Sequence, residues 1–219
     1  MSEAVTIWTL GWVPEVARGF VRDIRLRWAC EEAGIPYRIK TIAFDDRETN
    51  HLDQQPFGQV PMLEDGDIRL FESGAGLLHL GRKSSALMSN AESEQAEVTQ
   101  WTFAALNSIE MVTMPWVVLQ WANKDAPEIT DWMAKRLNQM EAVLREREWL
   151  VGDRFTLADL IIADVLRVEL VRRFGNRPAS EDYISRVTSR PSFQKALSDQ
   201  CAHYQSAEQE RRMLTEQQK

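Results

Sequence analysis

Residues Gln55–Ser73 read QPFGQVPMLEDGDIRLFES, and this stretch decides the fold of the first part of the chain. Two short apolar runs, Val60–Leu63 and Ile68–Phe71, flank the acidic segment EDGD. An Asp-Gly pair between two such runs is a strong signal for a β-hairpin. The stretch opens on a Pro-Phe-Gly turn and leads, after its final serine, into an apolar helical segment. It therefore predicts a ββα unit.

The residues upstream of this stretch predict a βαβ unit. Val5–Leu10 is a short β-branched and aromatic run, typical of a buried strand, and Tyr37–Phe44 alternates as a second strand would. Between them, apolar residues recur at helical spacing over about Ala17–Ala33, and Gly34 stands where a helix C-cap would lie. A strand, a helix and a strand within ~45 residues favour a parallel pair of strands.

Beyond residue 82 the strand signal disappears. Residues 83–92 are small and polar, which predicts a linker. The rest of the chain carries long amphipathic patterns, including Glu94–Trp121 and Glu128–Trp149, and Thr156 and Asp159 have the spacing of a capping box before a very apolar helix. We therefore predict an α/β domain over residues 1–82 and an all-α domain over residues 93–219, with a polar tail from Gln205 that frays.

Composition excludes several classes of protein. The chain has 219 residues, of which 44% are hydrophobic and 27% charged, and this argues against a disordered chain. No apolar run reaches the ~18 residues that a membrane span needs, and MSEAVTIW at the start lacks the basic and apolar regions of a signal peptide. The net charge of −7 disfavours nucleic acid and anionic membranes as partners. Two distant cysteines, Cys30 and Cys201, form neither a disulfide framework nor a zinc module, so we expect a cytoplasmic protein.

Three stretches in this order resemble the soluble glutathione transferases, of a bacterial-like type: WACEEAGIPY at Trp28–Tyr37, then Gln55–Ser73, then FTLADLIIAD at Phe155–Asp164. The resemblance covers almost the whole chain. It implies a thioredoxin-like N-terminal domain followed by an all-helical bundle, with glutathione as co-substrate and no metal. It also implies a homodimer, for which Phe57 is a candidate anchor; the alternative is that Phe57 caps its own core.

Glutathione is an extended tripeptide that can pair with a protein as an additional strand. The resemblance assigns this pairing to Val60, before a Pro61 whose peptide bond is cis in the family; the alternative is an ordinary proline at a strand entry. Ser73 at a helix N-terminus would bind the γ-glutamyl carboxylate, and Glu72 would accept from its ammonium group. The alternative is a plain helix cap. The resemblance places Gln59, His51 and Gln55 opposite the cysteinyl and glycyl parts of the tripeptide. The alternative is that all three lie in a solvated loop.

The sequence departs from the family at the thiol activator, which is a Tyr, Ser or Cys. The tyrosine position of the family falls on Trp8 or Thr9, the serine position on Phe20 and the cysteine position on Arg22. No Ser, Tyr or Cys lies between Thr9 and Arg27. Thr9 and Arg22 are the candidate substitutes. The alternative role of Thr9 is local packing within its strand. The alternative for Arg22 is that it belongs, with Arg18 and Arg25, to an arginine face exposed to solvent.

The resemblance implies that the second substrate is an apolar electrophile. It also implies that this substrate binds between the two domains. The residues expected to line its pocket are Trp12, Phe103, Asn107 and Met111. Aromatic and methionine side chains suit such a ligand, although a stripe of this kind also occurs in helical cores.

Three functions remain open at this point. The first is a glutathione transferase that joins the glutathione thiolate to an apolar electrophile. The missing activator favours the second, a non-catalytic protein of the same fold that holds glutathione, an apolar ligand or a partner protein. The third is glutathione-dependent isomerase, lyase or peroxidase chemistry.

Overall fold

A four-stranded mixed sheet organises the N-terminal part of the computed structural model, which describes residues 4–217, with side chains for residues 4–44 and 46–209. The strands are β1 (Val5–Leu10), β2 (Tyr37–Ile42), β3 (Met62–Asp65) and β4 (Ile68–Phe71), in the order β2-β1-β3-β4. β1 is parallel to β2 and antiparallel to β3, and β3 is antiparallel to β4. The predicted βαβ and ββα units are thus confirmed, and together they form a thioredoxin-like fold.

The helix after β1, α1, spans Asp23–Ala33 and begins six residues later than predicted. A 3₁₀ turn at Glu15–Ala17 comes first, and Gly19 then adopts a positive φ of 82°, which interrupts any helix. The predicted C-cap is confirmed, because Gly34 lies in the left-handed conformation with φ of 64°. The late start of α1 leaves a long irregular segment between Leu10 of β1 and the first turn of the helix.

Helices form the remainder of the described chain. α2 (Ser73–Arg82) follows the hairpin, and a long helix comprises α3 (Glu92–Ala104), a π-helical segment (Ala105–Glu110) and α4 (Met111–Trp121). The later helices are α5 (Pro127–Glu146), α6 (Leu157–Leu166), α7 (Glu169–Arg172), α8 (Pro178–Thr188) and α9 (Pro191–Gln217). Further 3₁₀ turns lie at Phe44–Asp46 and Asn50–Asp53.

The chain forms two compact units whose composition differs from the predicted domains. The first unit contains the residues up to Leu80 together with those from Pro191 onward, and the second spans Gly81–Arg190. The C-terminal helix α9 therefore belongs to the first unit, whereas the sequence assigned residues 93–219 to a single helical domain. Residues 1–3 and 218–219 of the predicted domains lie outside the described residues.

Packing explains why α9 belongs to the first unit. The ring of Phe193 lies 4.6 Å from that of Trp28 in α1, measured between centroids, and both side chains are buried. Tyr204, directly before the segment that the sequence predicted as a fraying tail, is also fully buried. That prediction is corrected, since α9 continues to Gln217.

The second unit is built around α6, every residue of which is buried. Its predicted capping box is confirmed: the Thr156 N–H donates to the Asp159 carboxylate at 2.9 Å. The same carboxylate accepts from the Leu150 N–H at 3.0 Å and from the Tyr183 hydroxyl at 2.8 Å. The long helix Glu92–Trp121 has the length and composition of a membrane span, and 44% of the relevant window is buried inside the structure; a single helix of this kind is weak evidence for a membrane span.

Candidate active site

The segment before β3 presents the backbone to which the sequence assigns glutathione. The Val60–Pro61 peptide bond is cis, which confirms the family expectation. Ladder pairing of β3 begins only at Met62, which lies opposite Trp8 of β1 and Phe71 of β4. Val60 is half-buried and stands before the first ladder pair. Its position suits the pairing of an extended ligand with the main chain.

The loop that leads to Val60 is fixed from within by two buried side chains. Gln55 is 1% exposed, and its Oε1 accepts from the N–H groups of Phe57 at 2.5 Å and of Gln59 at 3.1 Å. His51 is also buried, and its Nε2 lies 2.8 Å from the Gln59 carbonyl oxygen. His51 and Gln55 are therefore neither solvated nor presented to a ligand in this conformation. The exposed Gln59 side chain is the one that the loop leaves available.

Glu72 and Ser73 stand at the start of α2 in an unusual backbone geometry. Glu72 has a φ of 68°, in the left-handed region that residues other than glycine rarely adopt. Such a conformation costs about 1–3 kcal/mol and is concentrated at functional sites. Glu72 is exposed, whereas Ser73 is 5% exposed at the first position of the helix. The two side chains are thus held beside the free N–H groups of the first turn, where an anion binds well.

Arg25 is a residue of this site that sequence reasoning placed wrongly. The alternative of a solvated arginine face is wrong for Arg25, because it is 2% exposed and its Nη1 donates to Ser73 Oγ at 3.0 Å. Because the guanidinium occupies an acceptor position of the hydroxyl, Ser73 keeps its own proton for an incoming anion. The buried positive charge acts in the same direction as the helix N-terminus. Arg25 stands among eight consecutive buried residues of α1, and a buried charge needs a partner; the sequence itself carried no signal of this burial.

The two candidate thiol activators have opposite environments. Thr9 is fully buried, and its Oγ1 lies 2.9 Å from the hydroxyl of Tyr204, so a ligand thiol has no access to it in this conformation. Arg22 is exposed at the N-cap position of α1. Phe20, the residue on which the sequence comparison placed the serine position of the family, is 39% exposed. Of the two, Arg22 is the one that a bound ligand can reach.

Trp12 lies on the segment between β1 and α1 and is partly buried. Its ring meets that of Phe44 edge to face, with centroids 6.0 Å apart. Its Nε1 donates to the Glu208 carboxylate of α9. Trp12 is therefore a fixed aromatic surface in the first unit.

Phe103, Asn107 and Met111 lie four residues apart on one exposed face of the long helix in the second unit. Phe103 is 55% exposed and Met111 48% exposed, so the alternative of a core stripe is wrong for both. Asn107 falls within the π-helical segment. Short π segments inside α-helices are frequent at functional sites. The structure thus brings these three predicted residues together on one surface. The described side chains include no group of three or more His, Cys, Asp or Glu suited to a metal ion.

Comparison with known proteins identifies the family. Models of the glutathione S-transferase N-terminal and C-terminal domains match residues 17–82 and 107–191. Glutathione S-transferase 1 of Zea mays is 33% identical over 190 residues, which cover 78% of this chain and 88% of that protein. The chain belongs to the glutathione S-transferase family and is a glutathione transferase.

Solved structures agree with this fold. The theta class glutathione S-transferase of Xanthomonas axonopodis pv. citri, with glutathione bound, superimposes with a TM-score of 0.73 at 25% identity, over 90% of this chain and 98% of that one. Yeast Ure2p in complex with glutathione gives a TM-score of 0.76 at 22% identity, over 90% and 94% of the two chains. These similar proteins come from a plant, a bacterium and a yeast, so the bacterial-like character of the chain stays a prediction.

Proposed function

We propose that this protein adds the thiolate of glutathione to an apolar electrophile in the cytoplasm. The observation that carries the proposal is the arrangement of Arg25, Ser73 and Glu72 at the start of α2. A buried cation, a hydroxyl with its proton available and an exposed carboxylate lie together there. The γ-glutamyl end of glutathione carries one carboxylate and one ammonium group, and it is complementary to such a site.

Each part of the tripeptide has a matching group. The γ-glutamyl carboxylate accepts from the Ser73 hydroxyl and from the first N–H groups of α2, and the ammonium donates to Glu72. The cysteinyl main chain pairs with Val60 before Pro61, and the glycyl end lies toward the exposed Gln59. The backbone contacts set the orientation of glutathione along the segment before Pro61. The charged contacts at its γ-glutamyl end supply most of the binding free energy.

The thiol then has to be ionised. A free thiol has a pKa of about 8.5, and each unit by which the site lowers it requires about 1.36 kcal/mol of preferential stabilisation of the thiolate. We assign this stabilisation to the exposed Arg22 guanidinium. A cation at a helix N-terminus opposes the macrodipole, so its placement there fits an anionic ligand. The thiol proton leaves to solvent, the sulfur forms its bond to the electrophilic carbon, and any displaced group departs with the electron pair of its bond.

The surface proposed for the electrophile consists of Phe103, Asn107 and Met111 on the long helix of the second unit. Exposed apolar side chains beside one amide suit a ligand that is mostly apolar with a single polar group. This surface supports an apolar substrate class.

The test is a glutathione titration at neutral pH, followed by the ultraviolet absorbance of the thiolate and then by turnover of a panel of apolar electrophiles. A saturable thiolate band together with a glutathione conjugate is the expected result. No band and no conjugate would overturn the transferase proposal.

A non-catalytic glutathione-binding protein of the same fold is the second candidate. The burial of Thr9 favours it, because this candidate hydroxyl near the end of β1 is then out of reach of a ligand. Heat of glutathione binding in calorimetry, without a thiolate band, is the result that this candidate predicts. Product structures separate transfer from isomerase, lyase or peroxidase chemistry.

We also propose that the protein is a homodimer with Phe57 as an anchor. The Phe57 side chain is 66% exposed, and it contacts Phe71, which is itself 41% exposed, at 6.2 Å between ring centroids. Phe57 therefore does not cap the core of its own chain. An exposed aromatic pair of this kind is a typical anchor at an interface.

A further inference from the structure

One face of α9 lies along the segment that contains every candidate position of a thiol activator. The residues of this face are three or four positions apart, so they form a single stripe on the helix. They are Leu197, Gln200, Cys201, Tyr204 and Glu208. Their partners lie between the end of β1 and the start of α1, in the same compact unit.

The centre of the stripe is a buried polar contact. The Tyr204 hydroxyl lies 2.9 Å from Thr9 Oγ1, and both residues are fully buried. Burial, together with the nearby Asp23 carboxylate, raises the pKa of Tyr204, so the phenol stays protonated and acts as a hydrogen-bonding group rather than a base. The adjacent His203 places Nε2 3.2 Å from the carbonyl oxygen of Leu10. These contacts fix the end of β1.

Gln200 fixes the other end of the segment. Its Nε2 donates to the carbonyl oxygen of Val21 at 2.9 Å and to Asp23 Oδ1 at 2.5 Å. Asp23 is fully buried and also pairs with Arg27 at 2.7 Å. The first turn of α1 is thereby held against α9.

Glu208 holds the middle of the segment. Its carboxylate accepts from Trp12 Nε1 and lies 3.6 Å from the guanidinium of Arg18. Gly19 also approaches α9 closely, because a Cβ on this residue would lie 3.1 Å from Leu197 Cδ1. Arg18 is therefore not part of a solvated arginine face, and a side chain at Gly19 would press on Leu197.

We propose that Tyr204 and Glu208 are positioning residues of the transferase, which set the geometry of residues 9–22 around the glutathione sulfur. This inference rests on the function proposed above. Regular structure within the segment is limited to one short 3₁₀ turn, and the side chains of α9 add restraints at its two ends and in its middle. Because a displacement of about 1 Å at a reacting centre can cost ~100-fold in rate, the contacts to α9 determine how well Arg22 stabilises the thiolate.

The test compares Tyr204→Phe, Glu208→Gln and the wild-type protein. Tyr204→Phe keeps the buried ring and removes the bond to Thr9, and Glu208→Gln removes the charge that faces Arg18. Asp199→Asn is the control, because it removes an acid of the same helix that pairs with Lys195 and is 42% exposed. Each variant is assayed for the pKa of bound glutathione, for kcat and KM, and for amide exchange of residues 9–22.

We expect the pKa of the bound thiol to rise and kcat to fall roughly tenfold in both variants, with a nearly unchanged KM for glutathione and faster amide exchange in the segment. The control should match the wild-type protein. If amide exchange were faster but the pKa of the bound thiol unaltered, Tyr204 and Glu208 would have a structural role only. That result would overturn this inference and leave the proposed function standing. A wild-type protein that shows no thiolate would overturn the proposed function as well.

Discussion

At the residue scale, Arg25 changes how the Glu72–Ser73 pair acts. A serine at a helix start is usually a cap that accepts from the backbone of its own helix. Here Ser73 Oγ accepts instead from a buried guanidinium on α1. The hydroxyl proton is thus directed to whatever binds at the start of α2. This contact favours an anion as the ligand of the proposed site.

The double variant Glu72→Gln, Ser73→Ala tests that site. It removes charge-assisted hydrogen bonds, which contribute ~1.5–3 kcal/mol each, so glutathione affinity should fall by roughly 100-fold. The chain offers a matched control, since Glu92 and Ser93 form the same dipeptide at the start of α3 and are both exposed. Calorimetry of Glu92→Gln, Ser93→Ala should give wild-type affinity. Equal affinities for the two double variants would remove the glutathione site from α2.

The role of Arg22 is testable through the pH dependence of the rate. If its charge stabilises the thiolate, Arg22→Ala raises the pKa of the bound thiol, and each unit lowers the thiolate fraction ~10-fold at a pH well below that pKa. The rate deficit should therefore be large near pH ~6.5 and small above pH ~8.5. Arg173→Ala is the control, because it removes the charge of a side chain that is 78% exposed directly after α7. An unaltered pH–rate profile would exclude Arg22 as the activator.

At the element scale, one carboxylate of α5 caps the start of α8. Glu141 accepts from the N–H of Ala179 at 3.0 Å and from the N–H and hydroxyl of Ser180, both at 2.8 Å. Burial acts to raise the pKa of Glu141, but the hydrogen bonds from Ser180 and Ala179 and the charge of Arg145 outweigh it and lower the pKa below its ordinary range. The charged form of Glu141 thus stabilises the second unit.

Glu141→Gln should reduce the free energy of unfolding by about 1–3 kcal/mol at neutral pH. Because the pKa is lower in the folded state, this stabilisation is fully present above a pH of ~4.3 and is lost as the pH falls through the folded-state value. Urea unfolding of the variant should approach that of the wild-type protein in acid. Glu146→Gln, at an exposed position of the same helix, is the control. A difference that persists undiminished at low pH would contradict the capping role.

Elements with local signals could be predicted from the sequence. The hairpin follows from Asp65-Gly66, and the start of α6 follows from Thr156 and Asp159, because a turn and a capping box involve residues close together in the chain. The start of α1 was missed because the apolar spacing continues back through a segment that Gly19 interrupts. Helical periodicity does not reveal a single residue with positive φ.

The contacts that sequence reasoning missed join residues far apart in the chain. Arg25 and Ser73 are 48 residues apart, and Thr9 and Tyr204 are 195 apart. The resemblance to the family located the Glu72–Ser73 pair because both residues are adjacent within one motif. It gave no indication of Tyr204 or Glu208, whose partners are defined only when α9 packs on the first unit. Periodicity within one helix cannot identify the element that covers it.

At the scale of the whole molecule, the exposed aromatic residues and the acidic charge bear on self-association. The net charge of −7 makes two copies repel one another at low ionic strength. A dimer therefore has to gain its stability from buried apolar contacts, and salt should strengthen it by screening the repulsion. An assembly held mainly by surface ion pairs would weaken under the same conditions.

Phe57→Ala tests the proposed dimer. The side chain is 66% exposed and rests on Phe71, so its removal leaves the core of the chain intact. An aromatic anchor at the centre of an interface contributes ~2 kcal/mol or more, which corresponds to a rise of roughly 30-fold in the dimer dissociation constant. Sedimentation equilibrium measures this constant, and raised salt should lower it in the wild-type protein. Val16→Ala is the control, because the Val16 side chain is 60% exposed in the same unit. This variant should leave the dimer dissociation constant unchanged. A wild-type monomer at all concentrations would overturn the dimer, whereas a dimer insensitive to Phe57→Ala would move the anchor to another surface.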